Sequence, residues 1–287
     1  VGIAYAMDER FFEKAKDKLT VFKCRANSKI MEQALPLTDA MFPGPKVVSG
    51  ADSAKKIPEV LKELNVNKVM IVTGPTVGRT IVPPIAENLE RHGIGYTIYD
   101  QVEANPSVKT VEAIRAQYLE NGCDGFLAIG GGSPMDAAKA AAARVAKPNT
   151  PIGKMAGLMK VMIKVAPIVA VPTTSGTGSE VTMGAVISDH DERHKYAIMD
   201  LKLMPLYAIL DPELTVGLPP RTTATTGMDA LTHAIEAYIS WTYNTKESLR
   251  LAEEAVKLIF DNLELAYQHG EDLKVRENMM IAAFKAG

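Results

Sequence analysis

Asp229 and His233 stand four positions apart in Thr-Gly-Met-Asp-Ala-Leu-Thr-His-Ala-Ile-Glu at 226–236. On a helix that spacing puts a carboxylate and an imidazole one turn apart on the same face, where both can bind one divalent metal ion. Taken alone, the pair fits better a first-turn Asp answering the helix dipole and a packed His. Its company raises the metal reading. Ala230, Leu231, Ala234 and Ile235 make the rest of the segment apolar, and two glycine-bearing turns precede it. The first, Ala-Ile-Gly-Gly-Gly-Ser-Pro-Met-Asp at 128–136, follows an apolar run and opens an alanine-rich one. Consecutive glycines let a backbone turn sharply and bring its amides close to a ligand, because no Cβ intervenes. Ser133 is expected to cap the following helix and Pro134 to take its first position, so that free amides and the helix dipole face a phosphate. The run does not complete the six-residue dinucleotide fingerprint, since Met135 stands where its third glycine belongs. By itself it also fits an ordinary strand–helix turn. The second turn, Val-Pro-Thr-Thr-Ser-Gly-Thr-Gly-Ser-Glu at 171–180, crowds Thr173, Thr174, Ser175, Thr177 and Ser179 around two glycines. Such hydroxyls can bond phosphate and ribose oxygens without adding charge, and two such loops at strand ends of one sheet reinforce each other.

The elements that must position these groups follow from hydrophobic period. Ile57, Val60, Leu61 and Leu64 recur at three- and four-residue steps, as on one helical face. Short apolar runs at 68–73, 96–99, 125–129 and 168–172 predict strands, with helices near 85–92 and 108–118 between them. Strands separated by helices at this spacing predict an α/β fold with a parallel sheet covered on both faces. Further strands are expected at 185–188, 196–199 and 208–210. After Pro219-Pro220 the texture becomes helical, at 222–240, 246–267 and 273–284. The expected organisation is an N-terminal arm over 1–42 with one helix at 9–19, a dinucleotide-binding α/β domain over 43–218, and the start of a helical metal-binding domain over 219–287.

Composition narrows the function further. Lys plus Arg number 32 and Asp plus Glu 34, a net charge of −2 in 287 residues. A partner held by long-range charge, such as nucleic acid or an anionic membrane surface, is therefore not expected. No apolar run is long enough to span a bilayer. Cys24 and Cys123 lie far apart without a paired-thiol motif and read as free thiols of a cytoplasmic protein.

Gly-Gly-Gly-Ser-Pro-Met-Asp at 130–136, Pro-Thr-Thr-Ser-Gly-Thr-Gly-Ser-Glu at 172–180 and Gly-Met-Asp-Ala-Leu-Thr-His-Ala-Ile-Glu-Ala at 227–237 together resemble the iron-containing (group III) alcohol dehydrogenases. The likeness runs over about 42–287. It implies a dehydroquinate-synthase-like fold, a parallel-sheet dinucleotide-binding domain followed by an all-helical one, with a metal and NAD or NADP in the cleft between them. By the same resemblance, Gly131, Gly132 and Ser133 hold the pyrophosphate. Asp136, Asn105, Thr173, Thr174 and Thr177 line the cofactor cleft, and Lys195, in a hairpin after Asp189, reaches the nicotinamide-side ribose. Asp229 and His233 become the first two of four metal ligands. The family's other two are histidines expected past Gly287, so the chain reads as C-terminally truncated and weak in metal binding. His92, His190, His194 and His269 lack the family's ligand context. Where relatives that use NAD carry an acidic residue after the first strand, this chain has Gly74. That removes the electrostatic objection to a 2′-phosphate and admits NADP, with Arg79 a candidate contact.

The implied reaction interconverts a primary or short-chain alcohol and its aldehyde or ketone. Fe²⁺ is the family's metal, and the Asp/His pair also suits Zn²⁺. The family's habit is a homodimer. Two alternatives share the architecture, a zinc polyol dehydrogenase and a lyase that retains NAD; a third is an inactive nucleotide-binding fragment.

Overall fold

A computed structural model describes residues 44–240 and 244–287. The expected arm over 1–42, its helix at 9–19 and Cys24 lie outside them. The described elements are, in order, β1 (Lys46–Ser49), α1 (Ile57–Glu63), β2 (Lys68–Val72), α2 (Pro75–Thr80), α3 (Val82–Arg91), β3 (Gly95–Tyr99) and α4 (Val108–Glu120). They continue through β4 (Gly125–Gly130), α5 (Gly132–Ala146), α6 (Ile152–Met155), β5 (Gly157–Leu158) and β6 (Ile168–Pro172). The last elements are β7 (Gly184–Asp189), β8 (His194–Met199), β9 (Tyr207–Leu210), α7 (Pro220–Ile239), α8 (Lys246–Gln268) and α9 (Leu273–Ala286).

Six strands form one parallel sheet in the order β1-β9-β6-β4-β2-β3. Their alternation supplies two cores. Met70, Val72, Phe126, Ala128 and Ala170 face α4 and α5, where Tyr118 stacks on Phe126 at 4.5 Å between centroids. Val69, Ile71, Leu127, Ile129 and Val171 face α1 and α3 on the other side. Because both faces are covered, the central strands are apolar at nearly every position.

Strands β2 and β4 are neighbours, yet the helices that follow them lie on opposite faces, α3 on one and α5 on the other. Chain direction therefore diverges between their carboxyl ends, which opens a crevice of the kind in which parallel α/β sheets take ligands. The expected strands at 185–188 and 196–199 leave this sheet. They form β7 and β8, an antiparallel hairpin joined by β5 into a separate three-stranded sheet. Short-range pattern shows that a segment is extended but not which partner it finds.

The three last helices pack on one another through Ala230, Leu231, Ile259, Ala266, Met279 and Ala282. A smaller cluster, Ala208 and Leu210 of β9 with Met280 and Phe284 of α9, fastens them to the sheet. No helix among the described residues is long and apolar enough to cross a membrane.

Candidate cofactor and metal site

Strand β4 ends at Gly130, whose φ of +147° is a conformation that L side chains rarely adopt. Gly131 then serves as the N-cap of α5 with no side-chain cap, leaving the first-turn amides unclaimed by it. The helix starts two residues earlier than the sequence predicts. Ser133 is therefore inside the first turn instead of capping it, and its Oγ accepts from Asn105 N at 3.3 Å. Pro134 falls at the third helical position, where its missing N–H costs nothing because first-turn amides lack intrahelical partners anyway.

The hydroxyl-rich loop after β6 lies directly over this turn. A Cβ built on Gly131 would come within 3.2 Å of Thr174 Oγ1, and one on Gly132 within 2.9 Å of Thr177 Cγ2. Thr173 is buried and its N donates to Gly130 O at 2.9 Å, continuing the ladder between the strand ends. The two loops read separately from sequence are thus one structure, close-packed because glycine faces threonine.

Asn105 approaches from a third direction, in the left-handed conformation at φ +58° that Asn tolerates better than most residues. A bridge between Ser107 and Ser188, with Ser188 N donating to Pro106 O at 2.8 Å, sets the β7–β8 hairpin beside it. That puts Lys195 within reach, and its Nζ donates to Asn105 Oδ1 at 2.9 Å. Lys195, Asn105 and Ser133 form one hydrogen-bonded line along the edge of the turn.

Asp136 sits deeper. Its Oδ1 accepts from Ser179 Oγ at 2.9 Å and its Oδ2 from Val186 N at 3.0 Å. Burial pushes its pKa up, although Lys139 and these two donors oppose the rise. Lys139, one turn further along α5, is not singled out by the sequence, whereas Ser179 is one of the loop hydroxyls read there. Lys139 is fully buried, and burial lowers its pKa to about 8. The same burial pushes Glu180 up to about 7. The available sequence signal was a lone long charged side chain in an alanine run with no polar stripe around it.

Gly74 closes β2 as the N-cap of the short α2, and a Cβ there would lie 3.2 Å from Val102 O. The position is close-packed and offers no carboxylate.

Asp229 and His233 fall on α7, one turn apart, with Oδ1 and Nε2 separated by 3.7 Å. Their side chains are 28% and 26% exposed, at the margin of a face that buries Gly227, Ala230, Leu231 and Ala234. Among the described residues no group of three or more His, Cys, Asp or Glu side chains gathers as a metal site. The donor chemistry fits a divalent ion, but as two ligands of a larger set. His92 hydrogen-bonds Asn88 O, His194 stacks edge-on against Tyr196, and His269 lies near Glu271. The turn before Asp229 touches the hydroxyl loop, for a Cβ on Gly176 would meet both Cβ and O of Thr226 at 2.9 Å.

Comparison with known proteins agrees with this geometry. The family model described as iron-containing alcohol dehydrogenase matches residues 44–212, and its C-terminal counterpart matches 223–287. The NAD-dependent methanol dehydrogenase of Bacillus methanolicus is 37% identical over 252 residues, covering 88% of this chain and 65% of that protein. A 1,3-propanediol oxidoreductase structure superposes with a TM-score of 0.83 at 34% identity, over 86% of this chain and 64% of that one. A sulfoacetaldehyde reductase from Bifidobacterium kashiwanohense, solved in complex with NAD⁺, gives a TM-score of 0.77 at 31% identity over 84% and 64%. The chain spans less than two thirds of each of these relatives. With both family models matched in order along one α/β and helical framework, the chain belongs to the iron-containing alcohol dehydrogenase family.

Proposed function

We propose that this protein is a metal-dependent alcohol dehydrogenase that interconverts a primary or short-chain alcohol with its aldehyde or ketone, using NAD or NADP. The observation that carries this reading is the packing of two glycine-tight loops, at the carboxyl ends of β4 and β6 and beside the β2–β4 switch point, against the helix that bears Asp229 and His233. On this reading, residues 43–218 form the dinucleotide-binding domain and 219–287 begin the metal-binding one. Gly131 and Gly132 admit the pyrophosphate to the amides of α5, while Ser133, Thr173, Thr174 and Thr177 surround it with hydroxyls. Asn105 and Lys195, already bonded to each other, orient the ribose on the nicotinamide side. Asp136 works from beneath, holding the hydroxyl loop and β7 to α5. Gly74 sets no carboxylate against a 2′-phosphate on the adenosine ribose. Asp229 contributes a carboxylate oxygen and His233 an imidazole nitrogen toward Fe²⁺, and the same pair suits Zn²⁺. When bound, the dinucleotide supplies hydride chemistry and the ion Lewis acidity toward the substrate oxygen.

The names of the relatives support the reaction class and NAD, since one is an NAD-dependent methanol dehydrogenase and another was solved with NAD⁺. The buried free thiol of Cys123 accords with a cytoplasmic setting. A homodimer completes the proposal, and light scattering reads it directly. The deciding experiment pairs calorimetric titration of NAD⁺ and NADP⁺ with elemental analysis and alcohol-dependent NAD(P)H formation. Asp229→Ala is expected to bind dinucleotide as before and to lose metal and turnover; retention of both metal and full turnover would remove the assignment. A second reading, dinucleotide binding without turnover, is favoured by Asp229 and His233 being joined by no third donor among the described residues. It predicts binding with no stoichiometric metal in the wild type.

A further inference from the structure

We propose that Lys139 is a positioning residue for the dinucleotide: its ammonium fastens the 179–184 segment to α5 and so holds Thr177 over the glycine turn. The inference rests on the reading of that turn as the dinucleotide site.

Lys139 is 0% exposed in a stretch of α5 where Ala137, Ala138 and Ala140 to Ala143 are equally inaccessible. Its Nζ reaches Ser179 O at 2.7 Å, Ser179 Oγ at 3.0 Å, Thr182 O at 2.9 Å, Thr182 Oγ1 at 3.2 Å and Gly184 O at 2.9 Å. Three of these are carbonyls, which only accept. An ammonium brings three N–H donors to such a ring, whereas a neutral amine would turn a lone pair toward it, so the pocket is built for the charged form. An apolar side chain could fill the volume but would leave the carbonyls unbonded.

The gripped segment is continuous with the site. Ser179 N donates to Thr177 Oγ1 at 3.2 Å, and Thr177 is the residue packed against Gly132. One turn earlier on α5, Asp136 holds Ser179 Oγ and Val186 N. The helix whose N-terminus faces the ligand therefore also carries, on its buried side, the two charges that set the opposing loop. The effect of Lys139 on the turn passes through Ser179 and Thr177.

The test is calorimetric titration of NAD⁺ into wild type, Lys139→Met, Thr177→Val and the double variant. Lys139→Met is expected to raise Kd about tenfold, the size of one hydrogen-bonded contact. Thr177→Val should raise it several-fold, and the double variant should bind no worse than Lys139→Met, because both changes remove the same interaction. An unchanged Kd in folded Lys139→Met would overturn the proposal, as would losses that multiply in the double variant, the mark of a merely structural lysine. If Lys139→Met does not fold, Ser179→Ala decides, since it deletes one acceptor of Lys139 and the donor to Asp136. A Kd raised about threefold supports the proposal and an unchanged one overturns it. A wild type that binds neither NAD⁺ nor NADP⁺ fails at the dinucleotide reading itself, which sets that failure apart from failure of the lysine's role.

Discussion

The glycine turn is hemmed in, with Thr174 and Thr177 lying where the Cβ atoms of Gly131 and Gly132 would go. Asp229 and His233, by contrast, are about a quarter exposed and keep 3.7 Å between their nearest polar atoms. One region is made largely of backbone and needs close packing to exist; the other is two side chains on a helix surface that need only the right spacing. A backbone site is preorganised by the fold around it, whereas a side-chain pair becomes a site when further donors join it.

Changes aimed at one region should spare the other, and the largest effect is expected at the turn. Gly132→Val adds a branched side chain whose first carbon already lies 2.9 Å from Thr177 Cγ2. Dinucleotide affinity should fall at least ~100-fold, about 2.7 kcal/mol, with metal content unchanged. A near-normal Kd by calorimetry would show that the turn is not the tight half. Next, His233→Ala should cut metal stoichiometry about tenfold in elemental analysis while leaving the NAD⁺ Kd within about twofold. If both fall together, the two regions are one unit. Smaller still, Gly74→Asp should shift the ratio of NADP⁺ to NAD⁺ dissociation constants about fivefold toward NAD⁺. Its Cβ must press on Val102 O at 3.2 Å, so a modest loss for both cofactors is expected as well.

The least effect concerns stability. Glu180 is buried and its pKa is pushed up to about 7 from 4.5, chiefly by desolvation. The folded state therefore holds a proton that the unfolded chain releases, and wild-type stability declines as pH rises through that interval. Glu180→Gln lacks this proton, so it should gain on wild type from pH 5 to 7 and keep a constant lead above. The gain is read as a Tm difference that widens across that interval and levels off above it. Thermal unfolding that shows a pH-independent difference would exclude the titration.

Much of this fold is legible in the sequence where burial leaves its mark on composition. β2, β4 and β6 are continuous apolar runs because helices cover both faces. β1 escaped notice because it is a four-residue edge strand, Lys-Val-Val-Ser, mostly exposed and without an apolar run. Within the site, glycines, hydroxyls and the Asp–His spacing are visible as residue types. Asn105 meeting Ser133 is not, since 28 residues separate them and the contact depends on the left-handed conformation of Asn105. Lys139 was missed for the opposite reason. A lysine in an alanine-rich helix ordinarily marks the wet side, and only the placement of the 179–184 segment shows that α5 has its dry side there.

Gly176 presses its bare backbone on Thr226, three residues ahead of Asp229. Whatever free energy crosses that contact obeys reciprocity. If an ion on the helix changes the affinity for a dinucleotide by some factor, the dinucleotide changes the affinity for the ion by the same factor. A side chain at 176 would be a wedge in that exchange, and its absence leaves the two binding events on speaking terms.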